Sequence, residues 1–301
     1  MSALAELVDR GLVRTGVVLG TLTTYKLGGA ARFFAEPVTP EELSAVLTAR
    51  RSDDVPLLVL GRGSNLVIAD AGFEGVVIRL GSGFAAVTQR PDHVEAGGAV
   101  SLPMLARACV AEGRLGLEFY VGIPGSVGGA VRQNAGCHGS ETSDFLLSAD
   151  VVGPDGSIRA RRVGELDLSY RHSNLSDEDI VVTARYSFTA GDPTDGERTM
   201  RDVIRWRKEY QPGGTLNAGS VFKNPPGDAA GRIIDGLGLK GMSVGGASVS
   251  TRHANFFVAT SEATAGDVRD LVFAVQRIVV ERSGVLLEPE IRFAGFEVDQ
   301  P

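Results

Sequence analysis

With 301 residues, 43% of them hydrophobic and 22% charged, the chain can bury a large core in two or three subdomains and has the balance of an ordinary soluble globular protein. A formal charge of −7 argues against a surface that grips a nucleic-acid backbone, because that affinity is carried by Lys and Arg. No apolar run approaches the length of a membrane-spanning helix, and the first residues, M-S-A-L-A-E-L-V-D-R, carry acids where a signal peptide carries positive charge, so a cytoplasmic protein without a membrane partner is expected. Cys109 and Cys137 lie too far apart for a C-x-x-C motif and suit a reducing compartment. His93, His138, His172 and His253 show no ligand spacing, so no metal is expected.

The first segment opens with T-L-T-T-Y-K-L-G-G-A-A-R-F-F, residues 21–34, which reads as a short strand or hairpin around Gly28 and Gly29. A helix start follows: Thr39 as cap, Pro40 at the first position, Glu42 completing a capping box, and Leu43, Val46 and Leu47 on one apolar face. Residues 56–60 make a buried strand, so strand, helix and strand suggest a crossover unit. That strand runs into G-R-G-S-N-L, residues 61–66, and a second apolar run. The loop would present backbone amides with the short side chains of Ser64 and Asn65; a plain hairpin turn is the simpler alternative.

The middle segment, from residue 75 to about residue 188, reads as short strands with one good helix, capped by Ser101 and closed by Gly113. Strand candidates are residues 94–99, 148–152, 180–188 and a long glycine-rich loop. That loop, V-G-I-P-G-S-V-G-G-A-V-R-Q-N-A-G-C-H-G, residues 121–139, holds six glycines and no Asp, Glu or Lys. Without a Cβ the backbone can take positive φ and let a ligand close to its N–H groups, as a cradle for a diphosphate or a flat wall against an aromatic ring. A turn-rich connector is the alternative. Arg171, in L-S-Y-R-H-S, taken alone reads as a surface ion-pair partner.

The third segment begins with a basic helix over residues 197–210, a solvated face. L-N-A-G-S-V-F-K-N-P follows, residues 216–225, placing the hydroxyl of Ser220, the ammonium of Lys223 and the amide of Asn224 close together. This suits an anionic substrate, or merely a capped turn before Pro225. A literal G-x-G-x-x-G at Gly236, Gly238 and Gly241 follows a helix instead of a strand, the reverse of the order a dinucleotide site needs. Residues 245–258 read as a strand with His253 and Asn255 on one face, able to line a nucleotide pocket. Thr264 and Asp267 start a last helix that buries Val268, Leu271, Val272, Val275, Ile278 and Val279 and ends at Gly284. In the closing L-L-E-P-E-I-R-F, a strand would put Glu288, Glu290 and Arg292 on one face and Ile291 and Phe293 on the other.

These motifs, in this order, resemble those of the flavin-dependent UDP-N-acetylenolpyruvoylglucosamine reductases. The likeness runs from T-T-Y-K-L-G-G to the final strand. It rests on L-G-x-G-S-N-L, G-I-P-G-S-V-G-G-A followed by N-A-G, Y-R-x-S, N-A-G-S-V-F-K-N-P and the final acids. The resemblance implies an α+β architecture: an FAD-binding domain of the vanillyl-alcohol-oxidase (PCMH) type in two subdomains, residues 1–80 with a return of 285–301 and residues 81–192, plus a substrate-binding domain over 193–284. It implies noncovalent FAD held by Gly61, Gly63, Ser64, Asn65, Gly122, Ile123, Pro124, Gly125, Ser126, Gly128, Gly129, Ala130 and Gly139, with Cys137 as a packing residue. It implies catalytic Arg171, Ser220 and Glu290, with Glu288 as a competitor, and substrate contacts from Tyr170, Lys223 and Asn224, with His253 and Asn255 added from the strand reading. NADPH would be the hydride donor, UDP-N-acetylglucosamine enolpyruvate the substrate, and the enzyme a monomer. Residues 173–180 leave little room for the tyrosine-bearing loop that some members carry, so the shorter type is expected. Two rivals stand beside this reading: another flavoenzyme of the same fold acting on an alcohol or sugar, and a non-catalytic flavin- or nucleotide-sugar-binding protein.

Overall fold

The structure, a computed structural model, describes residues 2–296. The chain groups into two compact units. The first takes in the chain up to Thr15 with Phe33–Arg62 and Gly75–Trp206; the second takes in Gly16–Arg32, Gly63–Glu74 and the chain from Arg207 on.

In the first unit a five-stranded antiparallel sheet has the order Ile158–Arg162, Leu146–Val152, Ile180–Tyr186, Val94–Gly97, Val87–Gln89. Arg185 stands on its central strand and donates to both carboxylate oxygens of Asp150, at 3.0 and 2.8 Å, and to Glu95 at 3.0 Å. A second sheet contains Val13–Arg14, the later parts of Ala30–Ala35 and Phe73–Ile78, and Leu57–Val59, which pairs in parallel with Val76–Ile78. The crossover unit is therefore present, but Leu57–Val59 pairs with a later strand and not with the one before the helix.

Five helices start or lie in this unit: α1 (Ala3–Asp9), α2 (Pro40–Ser52), α3 (Leu102–Ala111), α4 (Val127–Gln133) and α5 (Pro193–Tyr210). Thr39 caps α2 by accepting from the Glu42 amide, as its sequence implies, while the Glu42 carboxylate reaches Val38 N–H. Ser101 makes no side-chain cap on α3. The glycine-rich stretch is not a strand: it passes through a short 3₁₀ turn, Glu118–Gly122, and forms α4. On α5 the exposed face is laced by Arg198–Asp195, Arg201–Glu197 and Arg205–Asp202, pairs worth about 0.2–0.5 kcal/mol each.

The second unit packs α6 (Ala230–Gly236) and α7 (Ala265–Ser283) against an antiparallel sheet of Ser243–Val244, Ala247–Val249 and Phe257–Ala259. The helix at Ala230 ahead of the glycines bears out the reversed order that excludes a Rossmann turn. Thr264 and Asp267 form the capping box of α7, Gly284 ends it at φ 71°, and Asp70 accepts from the Ala265 and Gly266 amides at 2.9 and 3.1 Å. Leu66–Ile68, the apolar run after the first glycine loop, is no hairpin partner of the strand before it. It pairs in parallel with Arg292–Ala294.

Candidate functional site

The first unit builds one group of polar residues around α4. Ser126 caps the helix by accepting from Gly129 N–H at 3.3 Å. Val127 and Gly128 donate to the carbonyls of Val100 and Gly98, each at 2.9 Å, and Leu102 donates to Gly125 O at 3.0 Å. The open row of amides expected over residues 121–139 is thus narrower than the sequence suggests, because the first turn of the helix is stapled to residues 98–102. What it leaves bare is backbone: Pro124 and Gly129 are exposed, Ile123, Gly125 and Gly128 half-buried, and Gly122 and Ala130 buried. A Cβ on exposed Gly61 would lie 2.7 Å from Ser126 Oγ, so the two glycine-rich motifs meet here and a side chain at Gly61 would fill the space between them. Gly139 sits at φ 82° at the tip of a hairpin, Gly136–Cys137 against Ser140–Glu141. This strip of bare backbone, with no carboxylate in residues 121–139, fits a large planar, anionic cofactor such as FAD.

The Y-R-x-S motif lies against the other end of α4. Ser169 and His172 exchange backbone hydrogen bonds at 3.3 and 3.1 Å, placing Tyr170 and Arg171 at the tip of a tight turn. Arg171 takes φ 54° at the third position, where a type II turn demands positive φ and usually uses Gly or Asn. Such a backbone is unfavourable for an arginine and persists because the bonds around the turn hold it. Its Nη2 donates to Gly136 O at 2.9 Å, and its guanidinium lies 5.1 Å from the Tyr170 ring centre. Ser173 Oγ donates to Arg132 O at 2.6 Å, and Asn134 Nδ2 donates to Ser169 O at 3.0 Å. From Ser173 the chain turns through Ser176 and Asp179 directly into Ile180–Tyr186, with no inserted loop.

The second unit brings Ser220 and Glu290 together through backbone. Ser220 bridges to Phe256, Val221 N–H donates to Asn255 O at 2.8 Å, and Glu290 N–H donates to Val221 O at 2.7 Å. The amide of Glu290 therefore bonds the residue next to Ser220. One rung on, Lys223 N–H donates to Glu288 O at 2.9 Å, and Lys223 Nζ pairs with the Glu288 carboxylate at 2.6 Å. Sequence spacing left Glu288 and Glu290 open; here Glu288 is an exposed partner of Lys223, while Glu290 is half-buried. The strand expected over both acids is shorter, starting only at Arg292, so the alternating faces do not apply to them.

Three asparagines have roles that their motifs hide. Asn65, expected at the cofactor, donates Nδ2 to Glu290 O at 2.9 Å and accepts from Arg292 N–H at 3.0 Å. Asn255 is a correction: His253 and Asn255 sit in the loop between Val249 and Phe257, not along one strand, and buried Asn255 clamps Phe222, accepting from its N–H at 3.0 Å and donating to its carbonyl at 2.8 Å. Asn224 Oδ1 accepts from Ala230 N–H at 3.0 Å at the start of α6. His253 stands edge-on to Phe256, and burial holds its imidazole below the ordinary value of 6.5. Gly63, at φ 62°, has no room for a side chain: a Cβ would lie 2.6 Å from Thr23 Cα. Ser64 is half-buried beside it. Cys137 donates its thiol to Phe119 O at 3.3 Å. Among the described residues no cluster of His, Cys, Asp and Glu could hold a metal, and no helix is long and apolar enough to cross a membrane.

A family model described as the C-terminal domain of UDP-N-acetylenolpyruvoylglucosamine reductase matches residues 211–294, and one described as an FAD binding domain matches residues 31–161. The chain is 43% identical over 286 residues to the UDP-N-acetylenolpyruvoylglucosamine reductase of Acidiphilium cryptum, covering 95% of this chain and 92% of that one. With the same enzyme of Heliobacterium modesticaldum it shares 44% over 275 residues, covering 91% and 88%. The crystal structure of the enzyme from Thermus caldophilus superposes with a TM-score of 0.81 at 38% identity, covering 94% of this chain and 99% of that one.

Proposed function

The chain belongs to the UDP-N-acetylenolpyruvoylglucosamine reductase family, and from that premise we propose how its own residues carry the reaction. It is a flavoenzyme of peptidoglycan precursor synthesis with the vanillyl-alcohol-oxidase type of FAD-binding fold, FAD as cofactor and NADPH as reductant. Bound FAD supplies the relay of a hydride from NADPH to the terminal vinyl carbon of UDP-N-acetylglucosamine enolpyruvate.

In our reading Gly61, Gly63 and Ser64, with Gly122, Ile123, Pro124, Gly125, Ser126, Gly128, Gly129, Ala130 and Gly139, hold the cofactor without a covalent bond, and Asn65 orients the Glu290 segment beside it. Arg171 grips the substrate carboxylate: its planar cation stays charged as electron density moves onto that carboxylate when the vinyl carbon is reduced. Glu290 supports the resulting enolate by a hydrogen bond, and Ser220 gives its hydroxyl proton to the carbon next to the carboxylate, completing UDP-N-acetylmuramate, and regains a proton from water before the next turnover. A serine is a weak acid, so this step needs a strongly basic acceptor and fixed geometry. Tyr170, Lys223, Asn224 and His253 face the nucleotide sugar, and Asn255 holds the Ser220 segment from behind.

The observation that supports the roles of Ser220 and Glu290 is the hydrogen bond from Glu290 N–H to Val221 O, which makes Glu290 a backbone neighbour of the residue next to Ser220. We also propose a monomeric cytoplasmic enzyme, where NADPH and uridine nucleotides are available. The proposed division is a cofactor domain of residues 1–80 with 285–301 and residues 81–192, and a substrate domain of 193–284. The test is a two-step absorbance experiment: bleach the flavin anaerobically with NADPH, remove the excess, and add the enolpyruvyl substrate. Prompt recovery of the oxidised spectrum supports the reading; bleaching without recovery means a different acceptor and overturns it.

A further inference from the structure

The short helix α4 ends in Asn134, the first residue of the N-A-G that follows the glycine motif, and the cofactor reading of that motif gives it no role. Asn134 closes the helix at φ 44°, ψ 54°, a left-handed conformation that asparagine tolerates better than most side chains. It is fully buried, and both ends of its amide are used across the fold: Nδ2 donates to Ser169 O at 3.0 Å and Oδ1 accepts from Ser143 N–H at 2.8 Å. Ser169 is the first residue of the turn that carries Arg171. The far side of that turn is held from the same helix, where Ser173 Oγ donates to Arg132 O at 2.6 Å, and Arg171 itself donates to Gly136 O at 2.9 Å, two residues past Asn134. Residues 132–136 thus tie the turn at its start, its tip and its end.

We infer that Asn134 is the positioning residue of Arg171, clamping the strained turn so that the guanidinium is presented in one geometry. The inference rests on the reading of Arg171 as the group that holds the substrate carboxylate. A capping role alone would need the backbone conformation and not the donor to Ser169. The helix whose first turn borders the cofactor loop is then the same rigid piece that aims the cation at the substrate.

Asn134→Gly keeps the left-handed backbone and removes both side-chain bonds; Asn134→Asp keeps the acceptor for Ser143 and removes the donor to Ser169. For each variant, flavin bleaching by NADPH and flavin recovery with UDP-N-acetylglucosamine enolpyruvate are timed separately. Both variants are expected to keep the bleaching rate and to slow recovery by about a hundredfold, the scale of a misplaced reacting group. Asn134→Gly added to Arg171→Ala is expected to slow recovery no further than Arg171→Ala alone. If Asn134→Gly does not fold, Ser173→Ala, which cuts only the second tether, is expected to show a smaller loss confined to recovery. Independent, multiplicative losses in the double variant, or equal loss of both half-reactions, overturn the inference. So does full recovery in Asn134→Gly while Arg171→Ala is impaired. Full recovery in Arg171→Ala sinks the role of Arg171 first, and the clamp with it.

Discussion

The turn that carries Arg171 and the segment that carries Ser220 are both fixed from behind by a buried asparagine, but the two fixings differ in kind. At Ser220 the load is spread over several backbone bonds: Phe256, Asn255, Glu290 and Glu288 all pair with residues 220–223, and Asn255 acts as a piece of backbone, matching both polar groups of Phe222. At Arg171 a positive φ and a short turn are held by a few side-chain bonds from Asn134, Ser173 and Arg171 itself. A ladder tolerates the loss of one bond by keeping its neighbours, whereas a strained turn released at one point can relax. Changes at Asn134, behind the Arg171 turn, should therefore register as chemistry in the recovery step, and changes at Asn255, behind the Ser220 segment, as stability.

The largest effect tests this at Ser220. Ser220→Ala leaves every rung in place, so the flavin should stay bound and be bleached by NADPH, while product formation falls by about 10²–10⁴-fold, the range for losing a positioned proton donor. Equal loss of both half-reactions would reject Ser220 as that donor. Arg171→Lys should cost about 10²–10³-fold in the recovery step, since an ammonium lacks the planar fork and a different side chain meets the same strained φ. Recovery at the normal rate would mean that only charge matters there.

Asn255→Ala should lower the stability of the second unit by about 1–3 kcal/mol, because the N–H and carbonyl of Phe222 lose their partner in a buried place. The measurement is the denaturation midpoint, with turnover near normal well below it; unchanged stability with lost turnover would put Asn255 in the substrate pocket after all. The smallest effect is on pH dependence. His253 binds its proton less tightly when folded than its ordinary 6.5, so the unfolded chain takes up the proton first. The neutral ring's contribution is complete above about 6.5 and is lost as pH falls towards the folded value. His253→Gln should flatten that part of the midpoint-against-pH curve, and an unchanged slope would assign it to other groups.

Local chemistry settled within a few residues was legible in part: Ser101, read as a cap, makes no cap bond. Thr39 and Pro40, and Thr264 with Asp267, start their helices where the sequence places them, since a cap and its amide are three positions apart. The glycine stretch misled because its glycines are compatible with either loop or helix, and what decides is the carbonyls of Gly98 and Val100 that receive its amides. The work of Asn65, Asn134 and Asn255 was hidden for the same reason: each amide finds its partner far along the chain, at Glu290, Ser169 and Phe222, and no spacing announces such a pair. The pairing of Glu288 with Lys223, which separates it from Glu290, was not legible because only the folded chain forms it.

The parallel pairing of Leu66–Ile68 with Arg292–Ala294 bears on how the molecule is made. At about 5–20 residues per second a ribosome takes some ten to forty-five seconds to travel from the first of these strands to the second. Throughout that interval Leu66–Ile68, whose Val67 and Ile68 are buried in the finished protein, has no partner strand to hydrogen-bond. Such an apolar edge is sticky towards other nascent chains. Synthesis slowed late in the chain should therefore raise aggregation, and a chaperone that shields short apolar strands should matter more for the yield of this protein than its final stability does.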